Sequence, residues 1–134
     1  MRNSIKMVIL GLVFFSLYAH GTKIEADPPI IIPVPQTPKE LIIVYAAKYN
    51  TPLKPLLATS QCESSLNPKA VGDHGLAKGI FQYHKSTFIW MSSLMEEELD
   101  YYSTNDQAKL TAFIFSNRPD LKSHWTCARK LGYI

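Results

Sequence analysis

The distribution of apolar residues divides the chain into three parts. Residues 7–19 form an apolar run that follows two positive charges, Arg2 and Lys6, and this order is typical of a secretory signal. Residues 19–21 read Ala-His-Gly and place small residues at the two positions that a signal peptidase inspects. We therefore predict a signal peptide over residues 1–21.

The same segment leaves two alternatives open. Ala26 offers a second small residue for signal cleavage. A retained membrane anchor would need about 20 apolar residues to span a bilayer, and the run over residues 7–19 is shorter than that. We expect a secreted or periplasmic protein of the cell envelope, with no stable membrane anchor after signal cleavage.

The next segment, residues 22–37, is rich in proline. Proline fixes φ and removes a backbone donor, so an extended linker is predicted here. After it, apolar residues recur at helical spacing as far as the C-terminus, which predicts a small, mainly α domain over residues 38–134. The length of 134 residues agrees with a single domain.

Capping signals predict where the helices begin and end. Thr37, Pro38 and Glu40 form a capping box at the start of the first helix. Thr51 and Pro52 repeat the start signal for a second helix. Three further helices are predicted over residues 87–95, 104–115 and 120–131, the second with Thr104 and Gln107 as a capping box and the last closed by Gly132.

The charge of the chain gives no indication of a nucleic-acid partner. The formal net charge is +3, and two of the positive residues, Arg2 and Lys6, lie in the predicted signal. The remaining lysines are scattered, without a basic stripe or interleaved aromatic residues. We expect a monomer with a solvated, mixed-charge surface.

The chain has two cysteines, Cys62 and Cys127. An even number of cysteines in a secreted chain predicts one disulfide, and a pair of free buried thiols is the alternative. Neither a metal nor a cofactor is predicted, because the cysteines and histidines do not stand at the spacing of metal ligands; the histidines are His20, His74, His84 and His124.

The most informative motif is a glutamate followed by a turn and a glycine-containing segment. Residues 62–71 read CESSLNPKAV, and residues 75–83 read GLAKGIFQY. Glycosidic cleavage needs an acid that keeps its proton near neutral pH, and an apolar environment favours the protonated form of a carboxyl group. Glu63 follows an apolar stretch, and no lysine or arginine lies within five residues of it. Glu63 is therefore the candidate general acid; a surface glutamate at a helix end is the alternative.

Residues after the turn are candidates for holding a sugar. The Gln82 amide supplies both a donor and an acceptor, as an N-acetyl sugar requires, and Gly79 lets the backbone approach a ligand closely. The apolar face of a saccharide packs on aromatic rings, and Tyr83 is the best placed ring because it follows Gln82 directly. A place in the core is the alternative for this ring and for the other candidates, Phe88, Trp90 and Trp125.

These residues resemble the soluble lytic transglycosylase and lysozyme-like superfamily. The family motif is Glu-Ser-x-x-Asn-Pro-x-Ala, followed by a glycine segment that ends in Gly-(Leu/Ile)-(Met/Phe)-Gln, and nearly every position is matched between residues 62 and 82. The resemblance implies a small α+β lysozyme-like fold with a catalytic groove, and peptidoglycan glycan strands as substrate. It implies that Glu63 is the catalytic residue.

The resemblance also assigns roles to other residues. It implies substrate contacts by Gln82, by Ser64 beside the acid, and by Phe81 and Tyr83 in the glycine segment. Asn117 stands where many lytic transglycosylases carry Ala-Tyr-Asn, although no tyrosine precedes it here. The segment Trp125-Thr126-Cys127 is similar to the Trp-x-x-Cys ending of the resuscitation-promoting-factor branch, although it is one residue shorter. In that branch the late cysteine bonds to the one before the catalytic glutamate. This implies a disulfide between Cys62 and Cys127.

The number of carboxylates decides which reaction is expected. Glycosidases usually pair two acids, and Asp73 is the only acid between Glu63 and Gln82. An aspartate beside glycines is more often a turn former. Without a second acid, the N-acetyl group of the substrate can assist, and the product is 1,6-anhydro-N-acetylmuramic acid. Two alternatives remain: a hydrolytic muramidase in which Asp73 activates water, and a glycan-binding or secretion-associated module without turnover, with secretion-machinery or cell-wall proteins as partners.

Overall fold

The structure is a computed structural model that describes Val34 and residues 37–134. The predicted signal over residues 1–21 lies outside the described residues, and so does the predicted linker over residues 22–37 apart from Val34 and Thr37. In the described part of the chain, no helix combines the length and the apolar character that crossing a membrane requires.

The described residues form a mainly helical domain with a small antiparallel sheet. The helices are α1 (Pro38–Lys48), α2 (Leu53–Ser64), α3 (Lys85–Ser92), α4 (Thr104–Asn117) and α5 (Thr126–Lys130). The strands are β1 (Val71–Gly72), β2 (Ala77–Lys78) and β3 (Tyr83–His84), in the order β1-β2-β3. Short 3-10 turns cover Asp73–Gly75, Ser93–Met95 and Pro119–His124. The predicted mainly α class is confirmed, and the sheet supplies its β part.

The hydrophobic core is built around α4. This helix packs against α1 and also contacts α2 and α3, so one face of each neighbour is buried on it. Leu56 from α2 and Phe88 from α3 have no exposed surface, and both belong to the core. Complete burial of a side chain of this size stabilises the fold by about 1.5–3 kcal/mol. The buried residues of α4 are Gln107, Ala108, Leu110, Thr111, Ala112, Ile114 and Phe115.

The first helix begins as the capping signals predict. Thr37 Oγ1 accepts a hydrogen bond from the amide of Glu40, and Glu40 Oε2 accepts one from the amide of Thr37. Both groups satisfy amides that lack a partner within the helix. The capping box at the start of α1 is therefore confirmed.

The caps predicted for α2 and α4 are wrong, because the polar side chains have longer-range partners. The Thr51 hydroxyl donates to the Ala112 carbonyl at 2.7 Å, which ties the start of α2 to α4. The cap of α4 is Ser103, whose Oγ accepts from the amide of Asp106. The Gln107 side chain is 2% exposed and points into the protein interior, so it does not bond the backbone at the start of α4.

The single helix predicted over residues 120–131 is also wrong. The 3-10 turn Pro119–His124 leads into an extended residue, Trp125, and only then does α5 begin. The break lets the Trp125 ring enter the core, where it is 4% exposed and Nε1 donates to the Phe81 carbonyl at 3.1 Å. Gly132 follows α5 with φ +74°, in agreement with the predicted helix end.

Candidate functional site

A groove of about 400 Å³ opens where the end of α2, the sheet and the start of α5 meet. Glu63 lies in the last turn of α2, and β3 supplies two lining residues. The segment before α5 closes the other side. The groove is lined by Glu63, Asp73, Ala77, Gln82, Tyr83, His84, Thr87, His124, Trp125 and Thr126.

The Glu63 carboxylate is held by one of its two oxygens. Oε1 accepts a hydrogen bond from the backbone amide of Cys127 at 3.0 Å. This amide lies in the first turn of α5, where backbone donors have no partner within the helix. Among the described residues, Oε2 has no hydrogen-bond partner, and no cation forms an ion pair with Glu63. One oxygen is thus fixed and the other is left for the groove.

The predicted disulfide between Cys62 and Cys127 is present, with the two Cα atoms 5.9 Å apart. Cys62 precedes Glu63 in α2, and the backbone amide of Cys127 donates the hydrogen bond that Glu63 Oε1 accepts. The end of α2 and the start of α5 are therefore joined twice, once by the covalent bond and once by the hydrogen bond. This double connection fixes where the carboxylate stands.

The end of α2 turns sharply after the acid. Ser65 closes the helix with φ +54°, and Leu66 follows with φ +60°. Positive φ values are uncommon for residues with a Cβ, and they redirect the chain within two residues. Asn67 Oδ1 then accepts from the amide of Lys69 at 2.9 Å, which shapes the turn that the Asn-Pro pair predicts.

Gln82 is fixed with its donors turned to the backbone. Nε2 donates to the carbonyls of Ala70 at 3.2 Å and Gly79 at 2.9 Å. Gly72 makes room for the amide, because a Cβ on Gly72 would lie 2.3 Å from Gln82 Oε1. No described residue donates to Gln82 Oε1, so this oxygen is an acceptor that a ligand in the groove could use.

Tyr83 lines the groove but has little free surface. Its side chain is 3% exposed and packs edge-to-face against Phe88 and Trp125. The hydroxyl is hydrogen-bonded to Thr111 Oγ1 at 2.9 Å, and burial raises the pKa of the Tyr83 phenol well above its usual range. The ring therefore forms part of the groove wall and offers little surface on which a sugar could stack.

Three predicted contact residues do not line the groove. The Ser64 hydroxyl donates to the Ile80 carbonyl at 2.8 Å, so it joins the acid-bearing helix to the glycine segment. The Phe81 ring has no exposed surface and lies in the core, which corrects the prediction that this side chain contacts glycan. Asn117 donates to the Phe113 carbonyl within α4 and is exposed elsewhere on the surface.

Asp73 and His84 meet at the groove, and the sequence prediction missed the histidine. His84 Nε2 lies 2.9 Å from Asp73 Oδ2, and both side chains are about half exposed. Asp73 has φ +45° and His74 has φ +53°, so the loop that carries the aspartate adopts an uncommon backbone conformation. The sequence gives no signal for this residue, because Gln82 lies in the turn before β3 with φ +49° and strand alternation does not extend from it to His84.

A buried amide supports the glycine segment from behind. Gln107 Nε2 donates to the carbonyls of Lys78 at 3.2 Å and Tyr101 at 2.9 Å. Gln107 Oε1 accepts from the Phe81 amide at 3.4 Å. Gly79 has φ +78°, and a Cβ there would lie 2.4 Å from the Gln107 amide. The close approach of backbone to side chain thus requires glycine at this position.

Gly79→Ala is expected to lower the free energy of unfolding by more than Gly75→Ala does. Both glycines have positive φ, so each substitution carries a backbone strain of about 1–2 kcal/mol. Only Gly79 also meets the buried amide, because nothing lies within 4 Å of a Cβ on Gly75. Urea unfolding of the two variants measures the difference, and equal losses would show that the Gln107 contact is unimportant.

Comparison with known proteins identifies one family. The family model described as "Transglycosylase SLT domain" matches residues 40–116, which run from α1 to the end of α4 and include Glu63 and Gln82. Cys127 and α5 follow the matched region. No curated protein and no solved structure matches the chain.

Proposed function

The chain belongs to the transglycosylase SLT domain family, whose members are typically glycan-cleaving lytic transglycosylases of the cell wall, and we propose that Glu63 is its catalytic residue. The proposed reaction breaks the β-1,4 bond between N-acetylmuramic acid and N-acetylglucosamine in peptidoglycan. The observation that carries the proposal is the Glu63 carboxylate in the groove, with one oxygen fixed by Cys127 and the other without a partner among the described residues.

The hydrogen bond from Cys127 also indicates where the proton of the acid resides. When Glu63 is protonated, Oε1 is the carbonyl oxygen that accepts from the Cys127 amide, and the proton is carried by Oε2. Oε2 is then the atom that donates to the glycosidic oxygen. A positioned acid of this kind contributes a factor of about 10²–10⁴ to the rate.

The proposed reaction has two steps and uses no water. In the first, Glu63 gives its proton to the leaving oxygen of N-acetylglucosamine while the N-acetyl carbonyl oxygen of the muramic residue attacks the anomeric carbon. In the second, the Glu63 carboxylate removes the proton from the C6 hydroxyl, whose oxygen displaces the N-acetyl oxygen and closes the 1,6-anhydro ring. The proton returns to Glu63, so the acid is regenerated.

Gln82 is proposed to hold the substrate through its amide oxygen. Its two amide hydrogens are engaged by the Ala70 and Gly79 carbonyls, which leaves Oε1 as the group for a ligand. An acetamido N–H is a matching donor. The sequence suggested a donor and an acceptor; the contacts favour the acceptor alone.

A hydrolytic muramidase is the second candidate, because Asp73 lines the same groove as Glu63. Asp73 Oδ2 lies 2.9 Å from His84 Nε2, which supports a role of Asp73 in ordering the loop beside β3, and Oδ1 has no hydrogen-bond partner among the described residues. The anhydro product is proposed because members of the family are typically lytic transglycosylases.

Digestion of purified peptidoglycan in water enriched in the heavy oxygen isotope distinguishes the two reactions. We expect mass spectrometry to find fragments one water lighter than hydrolysis products, without the heavy isotope, from both the wild-type domain and Asp73→Asn. Heavy oxygen at a reducing end would instead establish hydrolysis. Binding without any fragments would point to the non-catalytic module.

The place of action follows from the substrate. Members of the family act on the cell wall, so we propose that the domain over residues 38–134 works in the cell envelope, after export directed by residues 1–21. Residues 22–37 would then separate the domain from the signal. N-terminal sequencing of the protein recovered outside the cytoplasm tests this assignment, since cleavage after residue 21 gives a mature chain that begins at Thr22.

A further inference from the structure

A second cavity, of about 180 Å³, lies next to the groove. The two are linked by Gln82, because Gln82 lines the groove while Ala70 and Gly79, whose carbonyls accept from its amide, line the second cavity. A molecule held in the second cavity would therefore contact the segment that positions Gln82. We call this space the lysine cavity, because Lys69 and Lys78 are among its lining residues.

The side chains of Lys69 and Lys78 are unpaired within the described part of the chain, since neither forms an ion pair, a side-chain hydrogen bond or a ring contact there. Other lysines are engaged: Lys109 pairs with Glu97, and Lys85 lies over the Tyr102 ring. Two free cations at one small cavity favour an anionic ligand.

The acids nearest to the cavity along the chain are occupied by backbone donors. Asp100 Oδ1 accepts from the amide of Tyr102 at 2.9 Å, and Asp106 Oδ2 accepts from the amide of Asp100 at 2.9 Å. Neither acid lines the cavity. They order the turn before α4, and among the described residues neither forms an ion pair with Lys69 or Lys78.

The remaining lining favours an anion carried on a short organic chain. Val71 is 60% exposed and Tyr102 is 67% exposed, and both line the cavity. Exposed apolar and aromatic surface next to two cations suits a carboxylate on an aliphatic backbone. Peptidoglycan offers such groups, because the muramic residue carries a peptide stem with free carboxylates.

We propose that the lysine cavity binds a carboxylate of the peptide stem, so that the protein prefers peptide-bearing glycan strands over bare ones. This inference rests on the proposed function, since the stem is attached to the sugar that the groove would hold. Occupation of the cavity would anchor the strand beside Gln82. The expected consequence is a lower KM for peptide-bearing strands.

The test compares Lys69→Gln/Lys78→Gln with the wild type on two substrates: peptidoglycan strands with their stems, and the same strands after an amidase has removed the stems. We expect the double variant to lose about tenfold in kcat/KM on the peptide-bearing strands, mostly through KM, and nothing on the bare strands. Lys54→Gln/Lys130→Gln is the control, because it removes the same charge from two exposed lysines of α2 and α5 that do not line the cavity.

Three results would overturn the inference. An equal loss on both substrates would place the lysines in the handling of the glycan itself. An equal loss in the control variant would indicate general attraction to an anionic wall. A loss that occurs only while wall phosphate polymers remain on the strands would identify phosphate as the anion.

A binding measurement separates this inference from the proposed function. A synthetic stem tripeptide is titrated into the wild-type chain and into both double variants, and the change in the NMR signals of residues 69–71 and 78–79 is followed. Saturable binding that the Lys69/Lys78 variant loses supports the cavity even if no strand is cleaved. Absence of binding to the wild type contradicts it even if strands are cleaved.

Discussion

Glu63→Gln is expected to lower the rate of peptidoglycan cleavage by at least about a hundredfold while leaving the fold and glycan binding intact. The glutamine amide can still accept from the Cys127 amide, so the contact that orients the side chain in the groove is kept. What the variant loses is the proton that Glu63 would give to the leaving sugar. The measurement is the initial rate of release of soluble fragments, together with binding to insoluble strands.

Two controls make the result specific. Glu98→Gln removes a carboxylate from an exposed position that does not line the groove, and it should cleave at the wild-type rate. Glu63→Ala removes the acceptor as well as the acid, so it should lose stability that Glu63→Gln retains, by about 1 kcal/mol. Retained cleavage by Glu63→Gln would exclude this residue from the chemistry.

Replacing both cysteines by alanine is expected to lower the free energy of unfolding by about 4 kcal/mol. The disulfide spans 65 residues of sequence, so its loss frees a loop of more than half of the described domain. For a domain of this size the loss corresponds to a fall in Tm of roughly 20 °C. Thermal unfolding of the wild type and of Cys62→Ala/Cys127→Ala measures it.

Activity should fall further than stability alone accounts for. Without the covalent bond, the start of α5 is held near α2 more weakly, and the hydrogen bond from Cys127 to Glu63 is lost part of the time. Reduction should bring the wild type to the level of the double variant and leave the double variant unchanged. An unchanged Tm and an unchanged rate after reduction would mean that packing alone positions the acid.

The features that could be predicted from the sequence depend on neighbours in the chain. The capping box at Thr37 and Glu40 is a contact between residues three apart, so its signature is local. The acid and the glutamine belong to one continuous motif, and the structure brings Glu63 and Gln82 to one groove. Two cysteines allow a single intramolecular pairing, and that pairing is present.

The predictions that failed concern side chains whose partners are far away in sequence. Thr51 donates to a carbonyl of α4, and Gln107 supports the glycine segment; at both positions the propensity for a helix cap yields to a buried backbone group that needs a partner. Trp125 breaks a helix because its ring fills the core and its N–H reaches the Phe81 carbonyl. None of these partners can be identified from a short stretch of sequence, because each lies far away along the chain.

The same holds for neighbouring residues of the groove. Gln82 lies in the turn before β3 with φ +49°, whereas Tyr83 lies in β3 with its ring in the core and 3% exposed. A motif match gives adjacent residues one role, but here a turn and a strand give their side chains different surroundings. The Asp73–His84 contact depends on the sheet, since Asp73 follows β1, His84 lies in β3, and both strands pair with β2.

Under the proposed function, the bond between Cys62 and Cys127 also bears on the compartment in which the protein can act. Thiols stay reduced in a compartment buffered by glutathione or thioredoxin, and they pair in an oxidising one. Because the same bond closes the fold and holds α5 against Glu63, a newly made chain would have lower stability and lower activity before it reaches an oxidising environment. Pairing of the two cysteines would then raise the activity of the proposed lytic enzyme after export.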